Sequence, residues 1–472
     1  MPKPSHTTAL SRRARPAWAL LLLWCAWGCA SGPMVGNGQP PPADPAAVAA
    51  AGEPPPQPLP CPAGIAANTR CLGGQDRDGA HYLIATPTPW SGVLVLHAHG
   101  GPELGAPSAE RTAQDLQRWQ IMLKLGHAWA GSSFRQGGVE VRAAAEDTER
   151  LRRIFNAHVA VPKRTLLHGQ SWGAGVAAVG AEMFAIAAGG KSAYDGVLLT
   201  SGVLGGGSLS YDFRLDLRVV YQQLCGNHPL PDEAAYPLWM GLPLGSPLTR
   251  AELANRVDAC LGLKQPAAQR SATQRQTLDT LLKVMRIEER SVQGHLNWAT
   301  WHFQDIVQRR TGGLNPFGNI GVRYSGSADD DALNRSVARY SASPAAVARF
   351  SADTDPGGRI PVPVLAVHAT DDPVAFVELQ SVFKDTMQRG GSAQRLVQTY
   401  TSHNEHSYLS DATYATLVAA LLGWLDSGQA PTPEHIAMAC AAHEAKVGPG
   451  CRFLPGYAPA PLTARVPSRQ RP

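Results

Sequence analysis

The sequence predicts an α/β protein: a mostly parallel sheet flanked by helices, with a large, mainly helical cap inserted into it. Three features of the 472 residues lead there. From Cys61 onward, short apolar runs alternate with segments of helical periodicity, the pattern that builds parallel sheets through strand–helix–strand crossovers. Runs such as Val93-Leu94-Val95-Leu96 are apolar at every position, as strands covered on both faces are. The alternation stops after Gly205-Gly206-Gly207 and resumes at Val362-Pro363-Val364-Leu365-Ala366-Val367, which brackets an insertion.

Taken in order, residues 1–29 read as an export signal: basic Arg12, Arg13 and Arg15, the apolar stretch Ala17 to Trp27, then small residues. That stretch is too short for a stable membrane anchor. Ala26-Trp27-Gly28-Cys29 resembles a bacterial lipobox, in which Cys29 becomes a lipidated N-terminus; ordinary secretion is the alternative. Residues 30–60, rich in proline and alanine, have little to bury and read as a disordered tether.

The sheet domain is expected over 61–205 and 351–428. Its strands are Tyr82-Leu83-Ile84, Val93 to Leu96, Ala128 to Gly131, Thr165 to His168, Gly196 to Thr200, Val362 to Val367 and Leu396 to Tyr400. Its helices are 109–125, with Leu116, Trp119, Ile121, Leu123 and Leu125 at helical spacing; 146–158, with Leu151, Ile154 and Phe155 on one face; a small-residue helix from Ala174; and one carrying Leu417, Leu421 and Trp424. Residues 206–350 form the helical cap, and 429–472 a tail across the surface of the core.

The composition, 44% hydrophobic and 17% charged, is that of a globular protein with a substantial core. The net charge of +5 overstates the basicity, because Lys3, Arg12, Arg13 and Arg15 fall in the signal, leaving 38 basic against 37 acidic residues. No basic face of the kind that binds nucleic acid is evident. Outside the signal, six cysteines fall into three locally spaced pairs: Cys61 with Cys71, Cys225 with Cys260, and Cys440 with Cys451. An even count in an exported chain implies disulfides, and the spacing suggests these partners among fifteen connectivities.

The chemistry centres on Gly169-Gln170-Ser171-Trp172-Gly173, which lies between an apolar run and a small-residue stretch. Strand, sharp turn and helix would follow one another, with the serine hydroxyl at the apex. A serine hydroxyl is a poor nucleophile unless a base reaches it and an acid orients that base. The run Val364 to Ala369 ends in a turn containing Asp371 and Asp372, and Ser402-His403-Asn404-Glu405-His406 follows the last strand. Developing negative charge needs oriented donors, which the glycines of His97-Ala98-His99-Gly100-Gly101-Pro102 offer after the strand that begins at Val93.

Together these segments resemble the α/β-hydrolase superfamily, and within it exported serine esterases and prolyl-oligopeptidase-like hydrolases. The resemblance covers roughly 75–205 and 360–425. The acid loop resembles the family's His-Gly-x-x-Asp-Pro-Val, which selects Asp372 with Asp371 as runner-up. His406 fits the base position better than His403, although the usual glycine before it is missing. The oxyanion donors implied are the amide of Trp172 and that of Gly100 or Gly101. The activity implied is cleavage of carboxylic esters through Ser171, His406 and Asp372, with an acyl-enzyme intermediate and no cofactor. The expected partner is a small-molecule acyl ester, and membrane contact would come only through an N-terminal lipid anchor. A prolyl-oligopeptidase-like peptidase and a catalytically silent surface-binding protein are the alternatives.

Other clusters read as structural. His97 and His99 could share a strand face as metal ligands, but no third ligand is evident, so no metal is expected. Asp329-Asp330-Asp331 lacks the calcium-loop pattern and suits the first turn of a helix from Ala332. Trp298, Trp301, His302 and Phe303 fit the core of the cap or an acyl pocket. Ser132-Ser133-Phe134-Arg135 closes a strand near the rim of the site without an assignable role.

Overall fold

The computed structural model describes residues 52–186 and 190–471. The export signal, Cys29 and residues 30–51 of the tether lie outside these. The described strands form one sheet: β1 (Gln57–Leu59), β2 (Thr69–Gln75), β3 (His81–Pro87), β4 (Val93–Ala98), β5 (Ala128–Ser132), β6 (Arg164–Gln170), β7 (Gly196–Thr200), β8 (Val364–Ala369) and β9 (Leu396–Thr401). Their order is β1-β2-β3-β5-β4-β6-β7-β8-β9. The pairs from β5 to β9 are parallel, while β1, β2 and β3 pair antiparallel with their neighbours and β3 does so with β5.

Two strands depart from the expectation. β1 lies within the stretch read as disordered tether, and the boundary of the sheet domain moves toward the N-terminus accordingly. Glu53 is buried beside Arg77 (3.1 Å) and Arg150 (3.4 Å), and Gln57-Pro58-Leu59 pairs with Cys71 to Gly73. A three-residue exposed edge strand has no apolar run to betray it, and only at an edge is its proline tolerated. β2 is masked in the same way by Arg70, Gly73 and Gly74. The other expected strands occur with ends shifted by a few residues, and the helix expected over 109–125 is broken after Arg118.

Side chains of the central strands alternate between two apolar layers. Leu94, Leu96, Leu167 and Val197 pack with Leu151, Ile154, Phe155 and Ala177. On the other face Val93, Val95, Leu166 and Leu198 meet Leu116, Trp119, Leu417 and Leu421. The helices involved are α1 (Ala109–Arg118), α2 (Val141–His158), α3 (Trp172–Met183) and the helix Asp411–Ser427.

The cap has its own core, built on α4 (Asp212–Cys225), α5 (Arg250–Leu261), α6 (Ala272–Met285) and a helical run over 292–310. Cys225 and Cys260 join the last turns of α4 and α5 in a disulfide; Cys61–Cys71 and Cys440–Cys451 are also bonded. Asp305 of the cap accepts a hydrogen bond from the amide of Val139 (2.8 Å), fastening the cap to the sheet domain, and Asp353, where the chain returns to that domain, accepts from the amides of Val141 and Arg142 (3.0 Å each). The tail begins on the core, where Phe453 bridges to Thr401, but its end crosses to the cap, where Arg469 pairs with Asp216 (2.5 Å) and Asp212 (3.6 Å). Asp330 and Asp331 stand in the first turn of a short helix, with Asp329 as its N-cap.

The register of β4 against β6 sets His97 opposite His168, and their Nδ1 atoms are 2.9 Å apart. His168 Nε2 reaches Thr200 Oγ1 (3.2 Å), and that hydroxyl can donate to Gly169 O (3.3 Å). The network assigns the proton of His168 to Nε2 and that of His97 to Nδ1. Burial holds the pKa of His168 down at about 3. A depressed imidazole stabilises the fold fully above its unfolded pKa near 6.5 and loses that contribution as pH falls toward 3, worth about 2 kcal/mol by pH 5. Asp115, Asp147 and Asp212, raised to about 6 by burial, act in the opposite direction. Urea titrations should therefore show His168→Asn losing about 2 kcal/mol less stability than wild type between pH 7 and pH 5; parallel pH profiles would contradict this account.

Candidate active site

β6 ends at Gln170 and α3 opens at Trp172, so the whole reversal falls on Ser171, whose φ of 58° and ψ of −123° lie in a region non-glycine residues rarely occupy. Such a conformation costs on the order of 1–3 kcal/mol and persists only where its surroundings enforce it. Here they do. Ser171 N donates to Thr200 O (2.9 Å), and Ser171 O accepts from Val203 N (3.0 Å) and Ala174 N (3.1 Å). The flanking glycines are steric necessities. A Cβ on Gly169 would overlap Gly173 O and Ala174 Cα, and one on Gly173 would overlap Ala98 O and His99 O.

Ser171, His406 and Asp372 come together although 34 and 235 residues separate the partners. His406 Nε2 is 2.7 Å from Ser171 Oγ, and its Nδ1 is 2.7 and 2.9 Å from the oxygens of Asp372. The network puts the imidazole proton on Nδ1, leaving Nε2 to accept from the serine. Asp372, its side chain fully buried, also accepts from the amides of Val374 (2.8 Å) and Ala375 (2.9 Å). His368 stands behind it, donating from Nε2 to Ala375 O (2.8 Å) and accepting at Nδ1 from Gln380 (3.0 Å). Asp371 is exposed. His403 is buried in the same loop as His406, with its Nδ1 unpartnered.

A strand order of β2-β3-β5-β4-β6-β7-β8-β9 with β3 antiparallel, a serine on the β6–α3 turn, an acid after β8 and a histidine after β9 decide the architecture. The fold is that of the α/β-hydrolases. No family model and no curated protein sequence matches the chain. Among solved structures it is similar to feruloyl esterase B from Aspergillus oryzae, at 13% identity over 80% of this chain and 86% of that one, with a TM-score of 0.44. An esterase from Exiguobacterium antarcticum has 13% identity over 75% of this chain and 99% of its own, with a TM-score of 0.36. Puromycin hydrolase has 14% identity over 78% and 40%, with a TM-score of 0.34. Likenesses at these scores decide nothing by themselves; the strand order and the elbow do.

Within this hydrolase fold, Trp172 is the first residue of α3, so its amide has no acceptor inside the helix and lies at the positive end of the helix dipole. Gly100 and Gly101 follow β4 beside it. Arg111, on α1, donates to Gly100 O (2.7 Å), and a planar trans peptide then directs the Gly101 N–H the opposite way. Gly100 has no room for a Cβ because the Gln170 side chain lies against it, while Gly101, at φ 63°, needs glycine for conformation. Gln170 also donates to His406 O (3.4 Å), tying the Gly100-Gly101 turn to the histidine loop.

Sequence reasoning missed several supporting residues. Arg111 and Gln170 carry no motif of their own. Arg290 of the cap donates to Asn404 O (2.7 Å) and Asp371 O (2.9 Å), bridging the two loops that carry His406 and Asp372. Phe134, at φ 61°, stacks on His99 (4.2 Å) and packs edge-on to Trp172 (5.9 Å), which gives the unassigned Ser132-to-Arg135 segment a place in the wall beside the oxyanion turn. His97 and His99 do not converge, since His97 belongs to the His168 pair and His99 to this wall. Among the described residues no cluster of three His, Cys, Asp or Glu side chains could hold a metal ion. If Ser171 is strained as its φ indicates, Ser171→Gly should unfold at a higher temperature than Ser171→Ala, by about 1 kcal/mol of stability; equal melting temperatures would remove the strain from the account.

Proposed function

We propose that the chain is an exported serine hydrolase that cleaves carboxylic esters. The observation that supports this above all is the unbroken hydrogen-bonded series from Ser171 Oγ through His406 to buried Asp372. In the proposed reaction Ser171 Oγ bonds to the ester carbonyl carbon while His406 Nε2 takes its proton. Asp372 fixes the imidazole and stabilises the imidazolium. The oxyanion is met by the amide of Trp172 and a glycine amide of the Gly100-Gly101 turn, each donor worth about 3 kcal/mol. Collapse breaks the C–O bond to the alcohol, which leaves with the proton held by His406; water, deprotonated by the same imidazole, then releases the acid.

Enclosure favours a small ester over a polypeptide. Ser171 is 6% exposed, and His99, Pro102, Phe134 and Trp172 wall a small cavity beside the oxyanion turn. Three disulfides fit folding in an oxidising compartment, and no described helix is long and apolar enough to cross a membrane. We extend the reading to lipidation at Cys29.

Ser171→Ala should abolish turnover of p-nitrophenyl acyl esters with an unchanged circular dichroism spectrum, and Asp372→Asn should lower kcat by roughly 10⁴. Full activity in the serine variant would reject the mechanism. Aminoacyl-anilides, assayed beside the esters, should be cleaved poorly; a preference for them would replace the esterase with a peptidase.

A further inference from the structure

Arg214, in the cap, is buried with no carboxylate partner among the described residues. Arg214, on α4, is 2% exposed. Its Nη1 donates to Ser210 O (2.8 Å) and its Nε has no hydrogen-bond partner. Burial lowers its pKa to about 10, opposed only by Tyr211, so it stays charged at neutral pH with no carboxylate acting on it. Three aromatic faces hold it: Phe213 and Trp298 at 4.7 Å and Tyr211 at 4.9 Å. Other buried arginines differ. Arg469 has Asp216 and Asp212, Arg111 has Asp115 and Glu103, and Arg218, one turn along α4, has His228 O and the Tyr236 hydroxyl.

Its aromatic cage touches the site on both sides. Trp298 stacks on His302 (3.9 Å), whose Nε2 bonds Pro102 O (3.1 Å), the residue after Gly100-Gly101. Phe213 packs on His295 (4.6 Å) and Phe376 (4.5 Å), and His295 bonds the backbone at Pro373, next to Asp372. Tyr211 shares a cavity of about 10 Å³ with Trp172. Two rings, Trp298 and His302, thus separate the guanidinium from the oxyanion turn, and two, Phe213 and His295, separate it from the acid loop.

A guanidinium taken from water without a counter-charge loses hydration that aromatic faces replace only in part, and its planar fork matches a carboxylate. We propose that Arg214 binds a carboxylate carried by the ester substrate, on its acyl or its alcohol side. The substrate class is then half-esters of dicarboxylic acids or esters of carboxy-substituted alcohols and phenols. This rests on the acyl-transfer reading above.

The test measures kcat/KM for two pairs of esters on wild type, Arg214→Met and Arg214→Lys. p-Nitrophenyl hemiadipate against p-nitrophenyl hexanoate probes the acyl side, and 4-carboxyphenyl butyrate against phenyl butyrate the alcohol side. Wild type should favour the anionic member of one pair, and Arg214→Met should lower that anionic-to-neutral ratio by about 100-fold, the order expected when one partner of a buried charge pair is removed. Arg214→Lys should fall between them, because an ammonium restores the charge without the fork. A wild-type preference for the neutral ester in both pairs, or an unchanged ratio in Arg214→Met, overturns the proposal. If Arg214→Met does not fold, the wild-type and lysine ratios decide. Failure of the acyl-transfer reading looks different: wild type then hydrolyses none of the four esters.

Discussion

The arrangement depends on how closely three backbone segments approach at the end of β6. The first turn of α3 presses on β6 and on the end of β4 at distances only glycine permits, which is why Gly169 and Gly173 flank Ser171. That contact forces the serine into its left-handed conformation, aims its hydroxyl away from the sheet and presents the Trp172 amide beside it. The almost uniformly small residues of α3 serve the same end, since bulk anywhere along its buried face would lift the helix off the sheet.

Polar groups inside the sheet support this contact. The His97–His168–Thr200 series runs under the elbow, and Thr200 O receives the amide of Ser171. Breaking one of these bonds would leave a further unpaired group in low dielectric beside His97 Nε2, which already has no partner, so the series resists rearrangement. The loops bearing Asp372 and His406 are held from outside, by Arg290 of the cap and by Gln170. The cap therefore positions the His406 and Asp372 loops as well as packing against them.

The cap is unusual in what it buries. Its interior contains two arginines on one face of α4 without carboxylate partners, and it encloses His295 and His302, both with depressed pKa values because of burial. The run over 292–310 includes two π-type turns, at Trp298–His302 and Ile306–Arg310, a departure from α geometry frequent near functional sites. In the first of these turns Trp298 stacks on His302 between Arg214 and the oxyanion turn.

The sequence by itself indicated the strand–helix rhythm of the core and the serine turn after β6, because continuous apolar runs and glycine spacing are local properties of the chain. It also indicated the cysteine pairs, whose partners are near in sequence. It was silent on β1 and β2, whose pairing is set by neighbours rather than by their own hydrophobicity, and on the tail's crossing to the cap. Between His403 and His406 the chain offered only a spacing preference; the path of one loop brings the second imidazole to the serine. Arg111, Arg214 and Arg290 look like ordinary charged residues in the sequence. Only tertiary structure decided which was buried, which bonded a backbone carbonyl and which lacked an anion, because desolvation and long-range pairing exist only once distant segments are packed together.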